Sequence, residues 1–148
     1  MPPFSGGAHT VVEMDDNGTR RLNPYSLMGE PEDRTSYSIS VRRDDGGRGG
    51  SLYMHRHVKP GMQMLISSPV NLFPLDLRAK KHLLIAGGIG ITPFLAQSAL
   101  FKVGLNTRLR VTLPGIPALN PLLSNPADTD ARLIAYGSVV VVRVAASQ

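Results

Sequence analysis

The chain has 148 residues, a formal charge of +5 at pH 7 from 16 Lys and Arg against 11 Asp and Glu, and no cysteine. That length is enough for one domain, or for a small domain with part of a second. The lack of thiols excludes disulfides, thiolate zinc sites, cysteine nucleophiles and cysteine-ligated iron–sulfur clusters within this sequence.

In chain order, Thr10–Met14 is β-prone, Asp15-Asp16-Asn17-Gly18 is a strong turn signal, and Thr19–Leu27 returns, so a hairpin is expected. Gly29–Arg34 reads as a polar loop. Tyr37-Ser38-Ile39-Ser40-Val41 alternates with period two, as a half-buried strand does. After a flexible Gly-rich turn at Asp44–Gly50, Ser51 is expected to cap a short helix, Leu52–Val58, that Lys59-Pro60-Gly61 ends. Met62–Ile66 is the next strand. Leu83–Ala86 reads as a buried strand of the parallel type, and Gly87, Gly88 and Gly90 permit a sharp turn and close approach by a ligand. Thr92 is expected to cap the following helix and Pro93 to take its first position. Such a strand-turn-helix offers unpaired amides to an anion, the usual way of holding a pyrophosphate, although the turn alone needs glycine for purely geometric reasons. Beyond Gln97, prolines 114, 117, 121 and 126 break up the tail, and Ala135–Val144 is expected to form one strand centred on Val139–Val142.

Several of these segments agree with one family in sequence and order. Asn23-Pro24-Tyr25-Ser26-Leu27, Ser38–Asp44, Gly47-Arg48-Gly49-Gly50-Ser51, Asn71–Asp76 (NLFPLD) and the turn GGIGITP together resemble phthalate dioxygenase reductase-like flavin enzymes of the ferredoxin reductase superfamily, from about Gly7 to Gln97. The resemblance implies a mainly β fold with an α/β part: an antiparallel flavin-binding barrel at 1–78 without its first strands, then the start of a nucleotide-binding α/β domain at 79–148. From about residue 98 the tail is divergent or frame-shifted. It also implies FMN, rather than FAD, as cofactor and NADH as co-substrate, with electrons passing to an oxygenase or ferredoxin protein that carries the iron–sulfur centre.

By that resemblance Tyr25 packs on the isoalloxazine ring and Ser26 bonds near its reactive nitrogen. Ser40, Val41 and Arg42 run along the flavin, Gly49, Gly50 and Ser51 hold its phosphate, and Gly87, Gly88, Gly90 and Thr92 receive the pyridine nucleotide. Asn23 replaces the family's usual arginine, a departure for which Arg20, Arg21 or Arg42 can compensate. No side chain is required as a catalytic acid or base, because the cofactor carries the redox chemistry.

Other constellations point elsewhere less well. His55 and His57 lack the i, i+4 spacing of a zinc pair, and neither they nor His9 and His82 suggest a metal site. Asp15-Asp16 and Asp44-Asp45 lie in turn signals, Met54, Met62 and Met64 read as core filler, and neither a Gly-x-Ser-x-Gly elbow nor a Walker sequence is present. The basic residues form no block and aromatics are few, so neither a nucleic-acid partner nor a membrane is expected. With near-zero mean hydropathy and no secretion signal in MPPFSGGAHT, the location expected is cytoplasmic. The competing reading is a non-catalytic flavin-binding or interaction module, or an inactive fragment.

Overall fold

The computed structural model describes residues 1–79, 82, 84, 88–101 and 139–145. β1 (Ala8–Asp16) and β2 (Thr19–Ser26) form the expected hairpin, with β1 beginning at Ala8. Asn17 (φ 53°) and Gly18 (φ 82°) make the turn, and the Asp15 carboxylate accepts the Gly18 N–H at 2.7 Å. Side chains of β1 alternate across the sheet, burying Ala8, Thr10, Val12 and Met14.

β1 also pairs antiparallel with two short strands, β4 (Leu65–Ile66) and β5 (Val70–Asn71). The strand expected at Met62–Ile66 is therefore shorter. Met62 closes a turn, its N–H donating to the Lys59 carbonyl at 3.1 Å, and its side chain is exposed instead of filling the core. Met54 is buried and Met64 packs partly against the core.

A second sheet pairs β3 (Ser36–Arg42) antiparallel with β6 (Val139–Ala145), in register from Ser36 opposite Ala145 to Arg42 opposite Val139. β3 was expected to bury one face. Both faces are covered, because Tyr37, Ile39 and Val41 enter the core while Ser36 accepts a hydrogen bond from Arg143 (2.7 Å) and Ser40 donates to the Met28 sulfur (3.2 Å). The two sheets meet at a bridge between Met28 and Ser38. Among the described residues they form adjoining sheets and not a closed cylinder. Their shared core includes Val12, Met14, Leu27, Tyr37, Ile39, Met54 and Val142.

Helix α1 spans Gly50–His57, and its N-cap is Gly49, not Ser51. Ser51 lies inside the first turn, where its hydroxyl accepts the Asp44 N–H at 3.1 Å and so ties down the preceding loop. A 3-10 turn at Ile89–Ile91 leads into α2 (Thr92–Phe101). Thr92 is likewise not an N-cap: it is the first helical residue, and its hydroxyl donates backwards to the Ile89 carbonyl at 3.1 Å. α2 docks through buried Ala96 and Gln97, the Gln97 amide donating to the Phe73 carbonyl at 2.7 Å. Of the expected strand Leu83–Ala86, only Leu84 is described; Gly87 and the proline-rich segment lie outside the described residues. Among the described residues no helix is long and apolar enough to cross a membrane.

Candidate functional site

The site begins with the period of β2. Arg21, Asn23 and Tyr25 sit opposite Met14, Val12 and Thr10 of β1, so all three share the inward face of the hairpin. The intervening Leu22 is exposed. At the strand rise, Arg21 and Tyr25 are about 13 Å apart along the chain direction, the length of an elongated groove.

The loop before α1 lies across this face. Gly49 is in a left-handed conformation (φ 93°), and a Cβ there would lie 2.9 Å from the Arg21 guanidinium carbon. A Cβ on Gly50 would lie 2.5 Å from the Asn23 amide nitrogen. A Cβ at either position would displace the Arg21 or Asn23 side chain, so the glycines let those two side chains lie against the helix start. The first helical bond, from the Tyr53 N–H to the Gly49 carbonyl, is 2.9 Å long, which leaves the amides of Gly50, Ser51 and Leu52 without an intrahelical acceptor. The first turn carries no acidic residue and the last turn carries His55, Arg56 and His57, a distribution that complements the helix dipole and leaves the N-terminal end open to an anion.

These elements enclose a cleft of about 560 Å³. Asn23, Tyr25 and Ser26 line it from β2, and Ser40, Val41 and Arg42 line it from the end of β3. Gly50 and Ser51 face it from the helix start, and Gly90 and Thr92 from the turn before α2. Gly49 stands behind the lining against Arg21, and Gly88 (φ 115°) precedes the turn without lining the cleft. Ile89 and Pro93 also line it; the Gly-x-Gly spacing indicated the turn but not which apolar side chains flank it. Arg48 and Asp44 are further lining residues that residue spacing does not single out. The Asp44 carboxylate is engaged locally, accepting the Gly46 N–H at 3.1 Å.

Two features define what the cleft can hold. Arg42 and Arg48 both line it, and among the described residues neither has an acidic partner, so one end is electropositive. Beside Asn23 the Tyr25 hydroxyl is buried without a hydrogen-bond partner. Burial raises the Tyr25 pKa, and the Asn23 side chain approaches closely enough to offset part of that rise without completing a hydrogen bond. A buried, unpartnered hydroxyl beside an open cleft suits a ligand that supplies the missing bond. The lining therefore fits an elongated molecule with an anionic end and a flat body, and places no acid–base pair beside it.

Beyond Pro24, Ser26 and Pro93 the cleft adjoins a second hollow of about 410 Å³, walled by Leu72 and Phe73. The histidines are dispersed. A ring nitrogen of His55 lies 2.9 Å from the Val41 carbonyl and holds that cleft strand against α1, while His57 packs on Tyr53 with ring centres 5.0 Å apart.

No family model matches the sequence. The chain is 50% identical over 99 residues to the carnitine monooxygenase reductase subunit of Escherichia coli (strain K12), a match covering 67% of this chain and 31% of that protein. It is 46% identical over 98 residues to phthalate dioxygenase reductase of Burkholderia cepacia, covering 66% and 30% respectively. The N-terminal part of this chain is homologous to the phthalate dioxygenase reductase and vanillate demethylase reductase family. The solved structure of phthalate dioxygenase reductase, described as modular for electron transfer from pyridine nucleotides to [2Fe–2S], superposes with a TM-score of 0.68 at 42% identity, over 76% of this chain and 34% of that one. The chain thus spans about a third of the length of the reductases it matches.

Proposed function

We propose that this chain is the flavin-binding part of an oxygenase reductase, with FMN in the cleft along β2 and NADH approaching at the turn before α2. The observation that carries the reading is the convergence on one cleft of four segments distant in sequence: 23–26, 40–42, 47–51 and 89–93. When bound, FMN supplies hydride acceptance and single-electron delivery. The protein's part is binding and orientation. Tyr25 offers a flat face and a hydroxyl donor to the ring, Ser26 a second polar contact, and Ser40, Val41 and Arg42 flank the ribityl chain. The amides of Gly49, Gly50 and Ser51, with Arg42 and Arg48, neutralise the phosphate. Gly88, Gly90 and Thr92, together with Gly87 by sequence, receive the nicotinamide nucleotide.

In this reading residues 1–78 form the flavin part and the chain from 79 begins the nucleotide domain, except that β6 (Val139–Ala145) returns to pair with β3 and so belongs with the flavin part. With no cysteine in the sequence, the iron–sulfur acceptor belongs to another polypeptide or another region. The test is the visible spectrum of the purified, desalted protein after FMN reconstitution, followed by anaerobic NADH. Retained flavin that bleaches supports a working reductase. Retained flavin that stays oxidised supports binding without turnover, and a folded protein that retains none overturns the assignment.

A further inference from the structure

We propose that Arg21 is a positioning residue for the phosphate end of the cleft: it orients the peptide at the start of α1 and does not itself bind the anion. This rests on the flavin reading above. Arg21 is an obvious candidate to replace the arginine expected at position 23, yet its charge is already matched. Its Nε and Nη2 lie 2.9 Å from one oxygen of Asp16, and Nη1 donates to the Arg48 carbonyl. The guanidinium is half-buried, with its carbon 2.9 Å from where a Cβ on Gly49 would stand.

The consequence follows from peptide planarity. In a trans peptide the carbonyl and the next N–H point in opposite directions. Holding the Arg48 carbonyl toward Arg21 turns the Gly49 N–H away from it, so the helix start presents a donor in place of a repelling carbonyl oxygen. Gly49, in a left-handed conformation that glycine adopts freely, does not prevent this peptide from flipping. The tether from Arg21 does. A lysine cannot do the same, because one ammonium lacks the fork that spans a carboxylate and a carbonyl together. The cations left for the phosphate are Arg42 and Arg48, unpaired among the described residues.

The experiment titrates the full chain with FMN and with riboflavin, which lacks the phosphate, reading flavin fluorescence and checking each variant by circular dichroism. Arg21→Lys is expected to weaken FMN about tenfold and riboflavin by less than about twofold. Arg20→Lys, which alters an exposed arginine paired with Glu13, leaves both unchanged. Gly49→Ala is the second test should Arg21→Lys fail to fold, since its Cβ displaces the guanidinium from the Arg48 carbonyl with Arg21 still present. It too is expected to lose FMN selectively, and combining the two changes adds little, because they break one device. Equal loss of both ligands in the folded variants, or no loss, overturns the role of Arg21. A wild-type protein that binds neither flavin removes the functional reading itself, whereas a wild type that prefers FMN beside an unaffected Arg21→Lys removes only this inference.

Discussion

Gly7→Ala tests how α2, and with it one wall of the cleft, is held to the β structure. Gly7 has φ 97°, and a Cβ there would lie 2.0 Å from the Phe73 carbonyl oxygen and 2.9 Å from the Gln97 amide nitrogen. The positive φ costs a side chain about 1–2 kcal/mol. Relieving a backbone collision in a packed region adds about 1–3 kcal/mol, for a total of about 2–5 kcal/mol. That is a large part of the roughly 5–15 kcal/mol that holds a domain folded. Gly18→Ala is the matched control: its φ is 82° and a Cβ there meets nothing within 4 Å, so only the conformational cost applies. Urea denaturation followed by circular dichroism gives both values, compared at constant slope. Gly7→Ala should be the less stable by about 1–3 kcal/mol and should also weaken flavin binding, because the Phe73–Gln97 contact it disrupts anchors the helix that begins at Thr92. Destabilisation equal to that of Gly18→Ala would refute the packing of Gly7 against Phe73.

Tyr25→Phe removes a hydroxyl that has no internal partner, so the flavin-free protein should keep its melting temperature or gain up to about 1 kcal/mol while flavin affinity falls; a clear loss of stability without flavin would contradict the unpartnered hydroxyl. The Asp33 carboxyl is held below its ordinary 3.8 by the Thr35 hydroxyl and amide. The unfolded chain therefore takes up this proton first, and the contribution of Asp33 to stability is complete above pH 3.8 and is lost as pH falls from there through the depressed folded value. Urea midpoints of Asp33→Asn should fall less steeply than wild type below that pH and run parallel above it; parallel curves throughout would remove the link. Val142→Asp places a carboxylate opposite Ile39 in a buried position and should cost about 3 kcal/mol or more. A wild-type urea midpoint for that variant would mean that β3 and β6 do not pair.

Local signals in the chain were enough for the elements that depend on neighbouring residues. Asp-Asn-Gly sets the hairpin because Asn17 and Gly18 accept positive φ, and period-two spacing puts Arg21, Asn23 and Tyr25 on one face whatever lies opposite. The glycines at 49 and 50 were equally legible as a turn before a helix, whereas the lining of the cleft by 23–26 and 40–42 was indicated by the family resemblance and not by local pattern. What surrounds those elements was not legible. Burial of both faces of β3 depends on Met28 and on Arg143, a residue more than a hundred positions away, and no window of sequence contains that pairing. Ser51 and Thr92 look like caps from their residue types, but the path of the chain gives Gly49 the cap of α1 and turns both hydroxyls to backbone upstream. Composition supplies the positive charge of the cleft, yet only the fold decides that Arg21 is neutralised by Asp16 while Arg42 and Arg48 remain available, because a charge acts through the partners that tertiary contacts bring within a few ångströms.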